Sequence, residues 1–310
     1  MSTHHPRASR RRLPALALTA ALGATGLIPV IAHAQAAVAP IDPALSQVVT
    51  ADEQVAPVGT PTVIDAGHVD LGVLNGPDFE LLARDDTVVP PVWRHLDDVV
   101  LHVSDAASQQ LPEGDQFAFT GAAPGDRVWV VPQTEVPGVP WLGWNTQSPE
   151  LISAADRGVT FEFAGHSGPG QFTLFLQNGG FEAPQQLWNS SAEGTQPFWA
   201  ELNTHTHANW VFTEPGTHQV ALRVKIPLND GTEVSSTQVV TLAIGDGADL
   251  TEAQNTEWSA PLRETEDTET AEAAGESSLF STWWILAAGI AVCAIIAVAG
   301  VATTRKGGRK

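Results

Sequence analysis

Between residues 61 and 246 the chain is a succession of short runs in which apolar and polar side chains alternate, separated by Gly, Pro, Asn and Asp. Alternation with a period of two is the pattern of a strand that buries one face. It predicts strands over residues 63–71, 79–84, 99–103, 116–119, 128–131, 160–163, 171–176, 207–212, 219–226 and 238–244. No persuasive amphipathic helix interrupts them. About ten strands, with turn signals about every eight to fifteen residues, point to an all-β fold, an immunoglobulin-like β-sandwich. Tyr is absent, which excludes a tyrosine corner.

The pattern changes at both ends. Arg7, Arg10, Arg11 and Arg12 precede an apolar stretch over residues 13–31 and the small-x-small sequence Ala32-His33-Ala34. Residues 1–34 are therefore expected to be a secretory signal peptide. Residues 35–60, rich in Ala, Pro and Val without a lasting period, read as an N-terminal extension that partly packs on a domain spanning 61–246. Residues 247–280 follow, and their run to Ser278 holds nine acidic residues and one basic one, Arg263. Such a composition is expected to form a disordered, self-repelling stalk. The uncharged run 283–302 is long enough to span a bilayer, so a transmembrane helix is expected over 281–302. The basic tail, 303–310, is then cytoplasmic by the positive-inside rule, and the domain lies outside a single-pass type I cell-membrane protein.

Charge and cysteine content narrow the possibilities. The net charge is −20, but eight of the fifteen basic residues sit in the two terminal segments, so residues 35–304 carry 7 basic against 35 acidic side chains, or −28. This acidity opposes binding to nucleic acid; it favours cations or serves solubility in a crowded anionic wall. Cys293 is the only cysteine and lies in the apolar run, so neither a disulfide nor a thiolate metal site can form in the domain. Ten Trp and eleven Phe supply core bulk instead.

Candidate chemistry concentrates in the histidines. On a strand, His205 and His207 stand about 6.5–7 Å apart on one face, while Ala208, Trp210 and Phe212 turn the other way. His68 and Asp70 repeat that spacing in Gly67-His68-Val69-Asp70-Leu71-Gly72. If the two strands lie near one another, two imidazoles with a third His or a carboxylate make a donor set suited to zinc, with manganese or nickel less suited. His166, in a Gly- and Pro-rich turn, is a further candidate ligand, whereas His102 reads as structural and His95 and His218 as surface or cap residues. After the histidine strand, Glu214-Pro215-Gly216-Thr217 is expected to form a type II turn leading into a second strand of a hairpin.

The segment running from His205 through Ala208, Asn209, Trp210, Phe212 and Thr213 to Pro215 and Gly216, with the Gly67–Gly72 motif and Trp141-Leu142-Gly143-Trp144, resembles the actinobacterial surface-anchored protein domain. That repeat module occurs in wall- or membrane-anchored proteins associated with a metal-type ABC transporter system. The resemblance covers about residues 61–246, in one copy. It implies a surface location and, as partners, a transporter substrate-binding protein or permease and the cell wall, in addition to the membrane held through the C-terminal helix. It implies no reaction.

No enzymatic activity is expected. Ser167 lies in Gly165-His166-Ser167-Gly168-Pro169-Gly170, but the strand-turn-helix setting of a nucleophile elbow is missing, and no phosphate loop or dinucleotide fingerprint occurs. The expected role is a metal-binding module. The alternative is a structural or adhesive envelope protein that meets a glycan or protein through Trp141, Trp144, Trp188 and Trp199. Convergence of the His68, His205 and His207 nitrogens within about 4 Å would favour the first, since a shared ion needs bonds near 2 Å.

Overall fold

The computed structural model describes residues 48–74, 79–179 and 182–264. The expected signal peptide, the transmembrane run and the basic tail lie outside the described residues. Among those described, no helix is long and apolar enough to cross a membrane.

The described chain is all-β with two short α-helices and three single 3-10 turns. In order it forms β1 (Gln54–Val55), β2 (Thr62–Ile64), β3 (Gly67–Leu74), β4 (Glu80–Asp85), β5 (Val92–Arg94), β6 (Val99–Val103), β7 (Ser108–Gln110), β8 (Arg127–Val131) and β9 (Pro140–Asn145). Helix α1 (Pro149–Ala154) precedes β10 (Gly158–Ser167), β11 (Phe172–Leu176), β12 (Gln185–Asn189), β13 (Phe198–Glu201), β14 (His205–His207), β15 (Asn209–Phe212), β16 (Gly216–Pro227), β17 (Glu233–Ile244) and α2 (Leu250–Asn255). Three sheets result, ordered β1-β5-β4-β3-β9-β14, β13-β10-β16-β17-β6-β2 and β12-β11-β15-β8-β7. All three send side chains into one core, represented by Val69, Leu71 and Leu142, by Phe161, Phe163 and Leu222, and by Phe172, Leu174 and Trp210. The architecture is sandwich-like, yet it has three sheets and includes parallel pairs, β1 with β5, β3 with β9, and β6 with both β17 and β2.

Among the described residues, seventeen strands exceed the ten expected because several are short or are breaks in longer expected runs. Residues 63–71 divide between two sheets, and Gly67, with φ +85°, opens the second piece. Residues 207–212 divide at Ala208, so β14 and β15 join different sheets. The expected hairpin is likewise a corner: Gly216 has a positive φ of 134°, well beyond the roughly 80° of a type II turn, and β15 and β16 lie in different sheets. Residues 116–119 form no strand. Phe117 and Phe119 both pack against Phe175, and a 3-10 turn at Ala118–Thr120 ends on Gly121 in the left-handed region. Trp141 to Trp144, read as an aromatic stretch, lie inside β9.

The ordered domain also runs beyond residue 246. Helix α2 is capped by Asp249, whose side chain accepts from the amides of Thr251 and Glu252. Ala253 packs on Val100 and Ala243, on the face of the second sheet turned away from the core. The chain then crosses that face as a strap. Gln219 donates to the Thr256 carbonyl, and the Arg263 amide donates to the Ala164 carbonyl at 2.8 Å. The Arg263 guanidinium donates to the carbonyls of Ser190, Ala192 and Gly194 and lies 4.4 Å over the Phe163 ring. The acidic segment expected as stalk from residue 247 is therefore packed through Glu264, because a buried Ala and one well-seated Arg outweigh its polar composition.

Candidate metal centre

Alternation along β3 decides what the first sheet shows on each side. Val69, Leu71 and Val73 enter the core, so His68 and Asp70 stand on the outer face. On β9, Leu142 and Trp144 enter the core, leaving Trp141, Gly143 and Asn145 outside. Strand β14 adds His205 and His207 to that outer face. The register sets His68 beside Trp141, Asp70 beside Gly143 beside His207, and His205 beside Asn145.

Asp70 and His207 are thus two strands apart, about 9.6 Å at the backbone by strand spacing alone, and their side chains meet over the strand between them. Gly143 is that strand's residue at the crossing. A Cβ there would lie 2.6 Å from Asp70 Oδ1, 2.8 Å from His207 Cε1 and 2.8 Å from the Thr206 carbonyl oxygen. Only glycine leaves the floor of the site open.

Strand β14 has three residues, and its position is fixed from the preceding turn. Asn203 takes a left-handed conformation (φ 58°), which Asn tolerates better than most side chains. Its amide donates to the Thr146 carbonyl, while the Thr204 amide donates to Thr146 Oγ1 at 3.0 Å. Trp141 supplies a wall, stacked on His207 at 4.0 Å between ring centroids and edge-on to His68.

The three Nε2 atoms form a triangle with sides of 2.9 Å (His68 to His207), 3.0 Å (His205 to His207) and 3.1 Å (His68 to His205). Asp70 Oδ1 caps it at 3.1 Å from His205, 3.5 Å from His68 and 3.9 Å from His207. An ion with bonds near 2.0 Å sits at the centre of a tetrahedron whose edges are about 3.3 Å, the middle of this range. Asp70 is fully buried and His68 and His207 nearly so; His205, at 17% side-chain exposure, is the ligand nearest solvent.

Hydrogen bonding alone leaves this arrangement unsatisfied. Each Nε2 of a neutral ring is either a donor or an acceptor, so three of them in mutual contact include at least one pair of like atoms. His68 Nδ1 faces Asp86 Oδ2 at 2.8 Å, which fixes its proton on Nδ1 and leaves a lone pair on Nε2. A cation at the centre satisfies all three lone pairs together.

The surroundings carry the same demand. Asp86 is gripped by the Arg84 guanidinium at 2.7 Å, and the far edge of Arg84 holds both oxygens of Glu53 at 2.8 Å. Glu53 also accepts from Trp93 Nε1, and Asp70 Oδ2 accepts from Asn145 Nδ2. Asp70, Asp86 and Glu53 therefore set three carboxylates against one guanidinium, a net −2 with neutral imidazoles, in groups at most 11% exposed. Burial pushes His207 down to about 3, helped by the charges of His68 and His205 and opposed by Asp70 and the Leu142 backbone, so its ring is neutral near pH 7. Its Nδ1 lies toward that backbone outside strict hydrogen-bond geometry. Burial alone would raise Asp70, but the His205 hydrogen bond, together with attraction to the imidazoles when these are protonated, holds it below the usual carboxylate range.

The structure brings together His68, Asp70, His205 and His207, the one group of at least three His, Cys, Asp or Glu among the described residues whose donor atoms all converge. His166 does not join them. It lies on β10 in the second sheet, with Nε2 3.0 Å from Nδ1 of His218. His218 is no surface residue: it is fully buried, and its Nε2 donates to the Glu214 carbonyl. His95 Nδ1 faces Glu80 Oε1 at 3.0 Å. Of the Trp residues weighed as a binding platform, Trp141, Trp144 and Trp188 are buried and Trp199 is 48% exposed. The supporting residues Glu53, Arg84, Asp86, Gly143 and Asn145 were not singled out from the sequence. A Gly at an outward position of β9, between Trp141 and Asn145, is the one local sign of them.

No protein-family model, curated protein or solved structure matches this chain.

Proposed function

We propose that this domain is an extracellular, membrane-anchored module that binds a divalent cation, zinc by preference, through His68, Asp70, His205 and His207. The observation that carries the reading is the triangle of imidazole nitrogens, closed by a buried carboxylate, in which no set of tautomers satisfies every contact. Zinc is favoured over manganese because three imidazoles and one oxygen in tetrahedral spacing suit a borderline cation, whereas manganese prefers more oxygen donors. Four protein donors make a closed centre, which supports a holding role and no catalysis. With a surface location, that role is to keep zinc available to a metal-type ABC transporter, the association implied by the resemblance to the surface-anchored domain.

Calorimetric titration of the full-length chain with zinc chloride and manganese chloride tests this. Zinc is expected to bind one to one, more tightly than manganese and with Kd below about 10 μM. Protons compete for the imidazole lone pairs, so binding weakens in acid. Absence of binding in that range, or equal binding by the His205→Ala/His207→Ala variant, would overturn the proposal.

A further inference from the structure

Residues 48–56 reach the domain through the same charges that surround the centre. Glu53 is the latch: its carboxylate takes two hydrogen bonds from Arg84, one from Trp93 Nε1 and one from the Thr50 amide. Val49 is buried against Leu82 and Trp93, and two residues of β1 pair with β5. Ala56 adds one backbone hydrogen bond, to the Trp93 carbonyl at 2.8 Å.

Docking the arm buries the Glu53 carboxylate on the guanidinium that also holds Asp86, making the net charge of the group more negative by one. A divalent cation among the ligands lowers that electrostatic cost. It also polarises the His68 ring, which strengthens the bond from Nδ1 to Asp86 and so fixes the guanidinium that grips Glu53. Like any pair of oppositely charged ligands, the cation and the arm favour each other's binding, and the effect is reciprocal.

We infer that cation occupancy and docking of residues 48–56 are coupled, so that zinc clamps the N-terminal arm to the outer face of the first sheet. The inference rests on the cation reading above. Hydrogen exchange of the full-length chain, read by mass spectrometry with and without zinc chloride, should show amides in residues 50–56 slowed at least about fivefold by zinc, with core strands such as β16 unchanged. The Glu53→Gln variant, which touches no ligand, should bind zinc about tenfold more weakly. Zinc binding with unchanged exchange in the arm, or wild-type affinity in Glu53→Gln, would overturn the coupling and leave the centre standing. Failure of the wild-type chain to bind zinc would remove both. The wild-type exchange comparison decides the matter even if the variant does not fold.

Discussion

The domain holds two sets of buried histidines, and they solve the same problem differently. His166 and His218 form a pair in which one consistent arrangement of protons serves every contact: His218 donates from Nε2 to the Glu214 carbonyl and accepts at Nδ1 from His166. His68, His205 and His207 form a triangle that no arrangement serves, and they add a fully buried carboxylate. Burial and proximity are common to both. A surplus of lone pairs and negative charge belongs only to the second, and that surplus separates a cation centre from structural packing.

The comparison breaks most sharply at single residues. His68→Ala should weaken zinc binding at least about a thousandfold, since it removes one of four bonds together with the link to Asp86, while His166→Ala should change it less than about twofold. Competition with a chromogenic chelator measures both, and a large loss in His166→Ala would show that the two sets are not independent. Gly143→Ala comes next, at about a hundredfold, because its Cβ would push Asp70 and His207 apart without removing a ligand. Unchanged affinity there would mean the sheet relaxes around a methyl group.

The smallest effect concerns protons. Burial, with Arg263 assisting, pushes His166 down to about 4, and burial with the charge of His166 does the same to His218. Both rings titrate near 6.5 when unfolded, so the unfolded chain binds more protons in between. Stability from this pair is whole above about pH 6.5 and is lost progressively as pH falls toward 4. Urea denaturation of zinc-free protein across that range should show the loss, and His218→Gln should show a flatter profile. An equal slope in the variant would rule the pair out as its source.

The parts of this site that could be read from the sequence are those set by local spacing. His205 with His207 and His68 with Asp70 each obey the two-residue period of a strand, so their shared faces follow from the chain alone. That the two strands flank β9, and that Gly143 lies at the crossing, depends on a parallel pairing across about seventy residues, which no local pattern encodes. Glu53, Arg84 and Asp86 looked like ordinary members of an acidic chain; only burial sets them apart. His166 stands two residues before Gly168 in a turn-rich stretch that suited a ligand loop, yet β10 extends through it to Ser167 and carries it to the second sheet. The strap was missed for a related reason. Its hold comes from Arg263 bonding backbone carbonyls of residues 190–194, a feature of shape that composition does not reveal.

That strap determines how the domain would respond to tension. A pull on the chain beyond Glu264 arrives first at Arg263, whose guanidinium holds three backbone carbonyls and whose amide holds the Ala164 carbonyl on β10. The guanidinium acts as a cleat: load reaching Arg263 is shared between the 190–194 loop and β10, the latter through the Phe163 ring and the Ala164 carbonyl. The first mechanical event would be peeling of residues 256–264, which lengthens the extended chain by about 3.3–3.6 Å per residue while leaving the three sheets and the histidine face intact.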